Sequence, residues 1–254
     1  MRVCEGVRRR SSPTSALCVG ASVTRGAVWM RRCALALLGS WLGFVGFTAL
    51  SMHLYPGGNW VEPSAAGHRF LYNFFCDLTQ PVSLSGVDNR LGSAFARVGR
   101  WCFALALGAF FWLVPFLFTG RVSARVRVWV RGLGLGAVLG VALVPLLPSQ
   151  RFGPFHGLLA LTAAGLGILA ALLAVVALWR GQGSARFLGW LGALALVVGA
   201  FDAALFAQHL NDHAPTPLLV PAAQKVAAFL LSAWMVGVAC CVLRSDPTRL
   251  TRRP

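Results

Sequence analysis

The chain has 254 residues, of which 57% are hydrophobic and only 12% charged, and its mean hydropathy is +0.70. Soluble domains carry about 25% charged residues, so the composition excludes an ordinary water-soluble globule. The formal net charge of +16 would suit nucleic acid, but the basic residues lie in short segments flanking apolar runs, which excludes nucleic acid as a partner and points to anionic membrane lipids.

Residues 1–32 are basic and show no apolar period, which predicts a disordered cytoplasmic tail. The stretch MRRCALALLGSWLGFVG, beginning at Met30, resembles a signal peptide or signal anchor. No A-x-A-like cleavage site follows, so it is expected to be retained as the first span; translation from Met1 and from Met30 both fit. A helix crossing a bilayer needs about 20 apolar residues. Six runs meet or approach that length: 33–54, 101–120, 132–147, 156–179, 187–210 and 218–243. The third is short, but residues 128–130 extend it if Arg131 snorkels to the interface. The expected fold class is therefore all-α, an integral membrane bundle of six transmembrane helices over 33–243, followed by a basic tail at 244–254.

Arginine placement predicts orientation. Of the 23 basic residues, 17 fall on the face of the two termini, and 6 (Arg69, Arg90, Arg97, Arg100, Arg151 and Lys225) fall on the other. The positive-inside rule then puts both termini in the cytoplasm. Arginine outnumbers lysine 22 to 1, and Ala, Gly, Leu and Val abound. That composition suits a GC-rich bacterial genome and hence a bacterial inner membrane.

Between the first two spans lies the aromatic stretch YPGGNWVEPSAAGHRFLYNFFCDLTQPVSLSG, residues 55–86. YPGG ends the first helix in a turn. Phe70, Leu71, Phe74, Phe75 and Leu78 recur at helical spacing, which predicts an amphipathic helix over 67–78 lying at the outer interface with its aromatics facing down. Asn73 and Asp77, four apart, would share a face of it.

All five histidines (His53, His68, His156, His209 and His213) fall on the outer side, as do Glu62, Asp77, Asp88, Asp202 and Asp212. Groups able to do acid–base or metal chemistry are thus concentrated there. His68, Asn73, Asp77, Asp202 and Lys225 are the candidate binding residues. His209 and His213 have the i, i+4 spacing that lets two imidazoles share zinc, with His53 or His156 as a third ligand from another helix; two interfacial histidines holding no metal fit the same spacing. Asp202 and Lys225 lie at matching depths, roughly 12 and 10 Å inside their spans at 1.5 Å per residue. An unpaired intramembrane charge costs at least ~2.5 kcal/mol, so a salt bridge between them is expected. Cys76 and Cys102 are the two cysteines able to meet on the oxidising side, with free buried thiols the simpler expectation. Gly132, Gly136 and Gly140, and Gly39 and Gly43, have the small-residue spacing of closely packed helices, within the chain or between copies. Pro115, Pro145 and Pro221 are expected to kink or end helices.

YPGGNW after the first span, then NFFCDL, then GSAFARVG leading into the second resemble a bacterial six-span family known as domain of unknown function 998. The resemblance covers about residues 35–243. It implies a six-helix bundle and no reaction. The family tends to have Ser where Cys76 precedes Asp77 here. A second resemblance is to zinc-dependent membrane hydrolases of the alkaline ceramidase and progestin-receptor-like group. It implies roles for Ser51, Asp77, His209 and His213, although those proteins usually have seven spans and their motif spacing is not reproduced. The expectation is a multi-pass membrane protein with an outward-facing pocket, lined by His and Asp, for a lipid headgroup or small ligand. A metal-dependent hydrolase acting on outer-leaflet lipid is the alternative, and a proton-coupled transporter the third. Oligomeric state stays open.

Overall fold

The computed structural model describes residues 13–118, 122–212 and 219–245, with side chains from residue 26 onward except 211 and 212. Its helices are α1 (Pro13–Leu54), α2 (Arg90–Leu113), α3 (Ala124–Leu143), the short α4 (Ser149–Phe152), α5 (Pro154–Trp179), α6 (Ser184–Asp212) and α7 (Leu219–Arg244). Six segments are long and apolar enough to span a membrane: Gly26–Leu54, Arg90–Leu117, Ala124–Leu146, Pro154–Trp179, Ser184–Leu210 and Leu219–Arg244. The protein is an all-α, multi-pass bundle of six spans. Helices are the expected solution, because hydrocarbon offers no partner to a backbone N–H or C=O. No strand occurs among the described residues, only two isolated bridges, Gly57 with Ala66 and Val82 with Asp88.

The helices pack in a closed ring in which α1 touches α2, α2 touches α3, α3 touches α5, α5 touches α6, α6 touches α7 and α7 returns to α1. The main core lies toward the N-terminal end of α1 and the C-terminal end of α7. Met30, Phe110, Phe118, Leu178, Trp234 and Val242 are buried there. A smaller core at the opposite face joins Tyr55, Phe75, Leu78 and Ala96.

Two expectations about boundaries are corrected. Helix α1 starts at Pro13, so residues 13–32 are helical rather than a disordered tail. That segment has no proline after Pro13, and extending an existing helix is far easier than nucleating one. Ala27 and Met30 are buried within it. Residues 1–12 and 246–254 lie outside the described residues. Helix α2 starts at Arg90 rather than near 101, which places Arg97 and Arg100 inside a span. The prolines act as expected. Pro115 and Pro145 end α2 and α3 in 3-10 turns, Val114–Leu117 and Val144–Leu146, and Pro221 sits in the first turn of α7. The glycine rows serve packing within the chain. A Cβ at Gly140 would lie 2.6 Å from that of Ala163 on α5, one at Gly136 3.0 Å from Leu166 Cδ1, and one at Gly43 3.1 Å from Cys102 Sγ on α2. Gly39 and Gly132 face open space.

Residues 55–89 form an ordered cap over one end of the bundle. The amphipathic helix expected at 67–78 is absent; the segment is turns and one 3-10 turn, Asp77–Thr79. Its aromatics do not form one face either, since Phe70 is 52% exposed while Phe74 is 5%. The reason is competition for the backbone by short polar side chains. Asn73 Oδ1 accepts the N–H of Arg69 (3.0 Å), Asp77 Oδ2 accepts that of Phe74 (2.7 Å), and Gln224 Oε1 on α7 accepts that of Phe75 (2.9 Å). Those N–H groups are taken by side chains rather than by a continuous helical ladder.

Candidate functional site

The centre of the cap is the Asp77 carboxylate, 5% exposed. Trp60 Nε1 donates to its Oδ1 (3.2 Å), and the Phe74 N–H (2.7 Å) and Asn73 Nδ2 (3.3 Å) donate to Oδ2. Asn73 Nδ2 also donates to Gly58 O (2.7 Å), which ties the start of the cap to its middle. Burial pushes Asp77 up to about 6, against the opposing pull of its three hydrogen bonds and of Lys225. His68 moves the other way. Burial and the Lys225 charge lower it to about 4, its Nε2 is buried without a hydrogen bond, and its ring stands edge-on to Tyr55 at 5.8 Å. Burial likewise pushes Tyr55 up to about 12, although its hydroxyl accepts from the Leu84 N–H.

These opposite shifts make a pH prediction. Between about 4 and about 6 the folded state holds the Asp77 proton more tightly than the unfolded chain does, so this group's stabilisation is lost as pH rises. Over nearly the same window folded His68 holds its proton less tightly, so its contribution grows as pH rises. The two nearly cancel in the native chain. In His68→Gln the Asp77 contribution is no longer opposed by His68. Denaturation midpoints of that variant should fall more steeply from pH 4.5 to pH 6.5 than those of the native protein; parallel curves would refute the compensation.

Lys225 on α7 is 5% exposed. Its Nζ donates to the backbone carbonyl of Asn73 and, at 3.4 Å, to Pro221 O, and lies 4.5 Å from the ring centre of Phe75 and 5.7 Å from that of Phe70. The expected Asp202–Lys225 salt bridge is not formed. Among the described residues the ion pairs are Arg69–Glu62 (2.7 Å) and Arg90–Asp88 (2.8 Å), both on the exposed part of the cap. Matching depth does not set azimuth: α6 turns Asp202 toward an internal cavity, and the cap supplies Lys225 with carbonyl and aromatic partners instead.

That cavity has a volume of about 290 Å³ and lies between α1, α2, α3, α5, α6, α7 and the underside of the cap. Its wall is mainly apolar, with Cys76, Arg100, Asp202 and Gln224 as its polar members. No described histidine lines it, and of the expected binding residues Asp202 alone does. Arg100 makes no ion pair among the described residues; its guanidinium lies 5.2 Å from the Phe75 ring centre.

The candidate metal ligands are dispersed. His53 is exposed at the end of α1. His156 is 3% exposed, with Nδ1 2.6 Å from Leu147 O. His209 stacks on Phe74 (5.9 Å) and meets Trp60 edge-on (6.0 Å). His213 lies outside the described residues. No three His, Cys, Asp or Glu side chains among the described residues gather as a metal group. Helix periodicity fixes which residues share a stripe, but rotation about the helix axis aims each imidazole at a different neighbour. Ser51 is fully buried on α1 with its hydroxyl unpartnered. Cys76 and Cys102 are both free thiols.

Sequence reasoning missed Arg100 and Cys76 as members of one cavity wall, and Trp60 as a donor to Asp77. One signal was present for Arg100: residues 90–100 contain no proline, so the helix can start at Arg90 and carry Arg100 about 15 Å inward at 1.5 Å per residue. Comparison with family models, with curated proteins and with solved structures gives no match.

Proposed function

We propose that this multi-pass protein binds a membrane amphiphile with an anionic head, with the head at Arg100 and its hydrocarbon against the apolar wall of the cavity. The observation that carries this reading is an arginine inside a span, without a carboxylate partner among the described residues, on the wall of a cavity of about 290 Å³. A charge at that depth costs at least ~2.5 kcal/mol, and intramembrane ionisable groups usually mark a ligand path. A bound phosphate or carboxylate offsets that cost, and the guanidinium fork suits either. Apolar walls with a few convergent polar groups are the usual makeup of a ligand pocket. The 17-to-6 asymmetry of basic residues supports an orientation with both termini in the cytoplasm, and with it a cap on the outer side of the membrane.

Native mass spectrometry of the full chain tests this with phosphatidylglycerol, phosphatidylcholine and inorganic phosphate. The native protein should retain phosphatidylglycerol in preference to phosphatidylcholine, and phosphate alone should compete weakly if the hydrocarbon contributes. Arg100→Gln should lower phosphatidylglycerol affinity about 10-fold or more, the scale of one lost charge-assisted hydrogen bond. Equal retention of both lipids, or an Arg100→Gln protein that binds like the native one, would refute the proposal.

A further inference from the structure

The geometry points to Cys76 and His156 as a nucleophile and its general base, accepting an acyl group from an ester of the amphiphile bound in the cavity. The substrate class rests on the binding proposed above; the chemistry of the pair does not.

The first observation is the His156 tautomer. Its Nδ1 lies 2.6 Å from Leu147 O. A carbonyl only accepts, so Nδ1 carries the proton and Nε2 presents a lone pair. That Nε2 is buried and has no hydrogen-bond partner among the described residues. A buried imidazole nitrogen without a partner is costly, and at a functional site this is the atom that receives a proton.

The second observation is what lies beside it. The Cys76 thiol and the His156 ring interact, and the Arg100 charge acts on the same thiol. Cys76 lines the cavity together with Arg100. Burial alone would push the thiol up, but His156 and Arg100 outweigh it and bring Cys76 below its ordinary value. A thiol so placed reacts as thiolate.

The third observation is how the pair is held. Gln80 Nε2 donates to Ser149 Oγ (2.8 Å) and to Cys76 O (3.4 Å), and Gln80 Oε1 accepts from the Gln150 N–H (3.4 Å). These bonds pin the Cys76 segment to α4, which leads through Gly153, at φ +48°, into the first turn of α5 and His156. A nucleophile and base on different elements are thus fixed together by a third residue.

The step balances without an oxidant. His156 Nε2 takes the thiol proton, and Cys76 Sγ attacks the ester carbonyl carbon. The S–C bond forms, the C–O bond to the alcohol breaks, and the proton on His156 passes to the departing oxygen. The products are S-acyl Cys76 and a free hydroxyl on the amphiphile. Water, deprotonated by His156, then cleaves the thioester to a fatty acid and restores the thiol.

Two probes test the pair with the full chain. With p-nitrophenyl butyrate, the native protein should release one equivalent of nitrophenolate in a burst and carry a butyryl group on the Cys76 peptide that neutral hydroxylamine removes. In phosphatidylglycerol vesicles with a deuterated palmitoyl chain, the same peptide should gain the palmitoyl mass. Cys76→Ala should show neither. His156→Asn keeps an N–H for Leu147 O and loses the base, and should slow both acylations about 100-fold, the low end of a general base's contribution. A native protein that binds phosphatidylglycerol but gives no burst and no adduct overturns this inference and leaves the binding proposal standing. A Cys76 burst without lipid retention overturns the binding proposal and keeps the pair. Should His156→Asn fail to fold, the native protein decides: a burst whose acyl group maps to a residue other than Cys76 refutes the assignment.

Discussion

Asp77→Ala is expected to unfold the cap while leaving the six spans inserted. Three donors converge on this carboxylate: the Trp60 indole, the Phe74 N–H and the Asn73 amide. Asn73 in turn holds Gly58 O and the Arg69 N–H. Alanine removes the common acceptor and leaves two buried donors, the Phe74 N–H and one Asn73 amide hydrogen, unsatisfied, each costing about 1–3 kcal/mol. The total expected loss is about 2–6 kcal/mol, confined to residues 55–89 because the main core lies at the other end of the bundle. Hydrogen exchange should show the amides of Phe74, Phe75 and Asp77 losing protection while those of α5 and α6 keep theirs. Asp77→Asn should recover only part of the loss, because its amide NH₂ would face either the Trp60 donor or the Phe74 and Asn73 donors. Native-like protection in Asp77→Ala would show that the carboxylate does not organise the cap.

The second large effect is expected at Gly58. Its φ is +86°, where a side chain is strained, at a cost of about 1–3 kcal/mol. A Cβ there would also lie 2.3 Å from Ser85 N and 2.6 Å from Leu84 C. These are backbone atoms, which cannot swing aside as a side-chain tip would, so overpacking adds about 1–3 kcal/mol more. Gly58→Ala should therefore lose about 2–6 kcal/mol of cap stability, measured as the same loss of exchange protection. Since Gly58 O accepts from Asn73 Nδ2, which also bonds Asp77, the two substitutions act on one network. The Gly58→Ala, Asp77→Ala double variant should lose much less than the sum of the singles. Strict additivity would mean that the Gly58 turn and the Asp77 network are independent.

The cap also shows where local patterns mislead. Phe70, Leu71, Phe74, Phe75 and Leu78 satisfy a helical period, yet Asn73 and Asp77 fold their side chains onto nearby N–H groups and no helix forms. Asp202 and Lys225 satisfy a depth rule, yet Lys225 turns to Asn73 O and two aromatic rings, and Asp202 to the cavity. In each case a one-dimensional rule counted spacing along the chain, and the partner that won came from a segment far away in sequence. The expectation of free thiols at Cys76 and Cys102 agrees with the structure, but nothing in their spacing placed His156 beside Cys76.

What the sequence determined by itself is the number of spans, the helical class and the ends that Pro115 and Pro145 impose. Those follow from a solvent that accepts only internally hydrogen-bonded segments of sufficient apolar length, a condition each segment meets or fails alone. What only the tertiary structure decided is the azimuth of every helix and the path of the cap. Both depend on close contacts such as Gly140 against Ala163 and on buried polar pairings such as Phe75 N–H with Gln224. Such contacts put Cys76 of the cap and Arg100 of α2 on one cavity wall, because packing and hydrogen bonding are satisfied between segments and leave no period within any one of them.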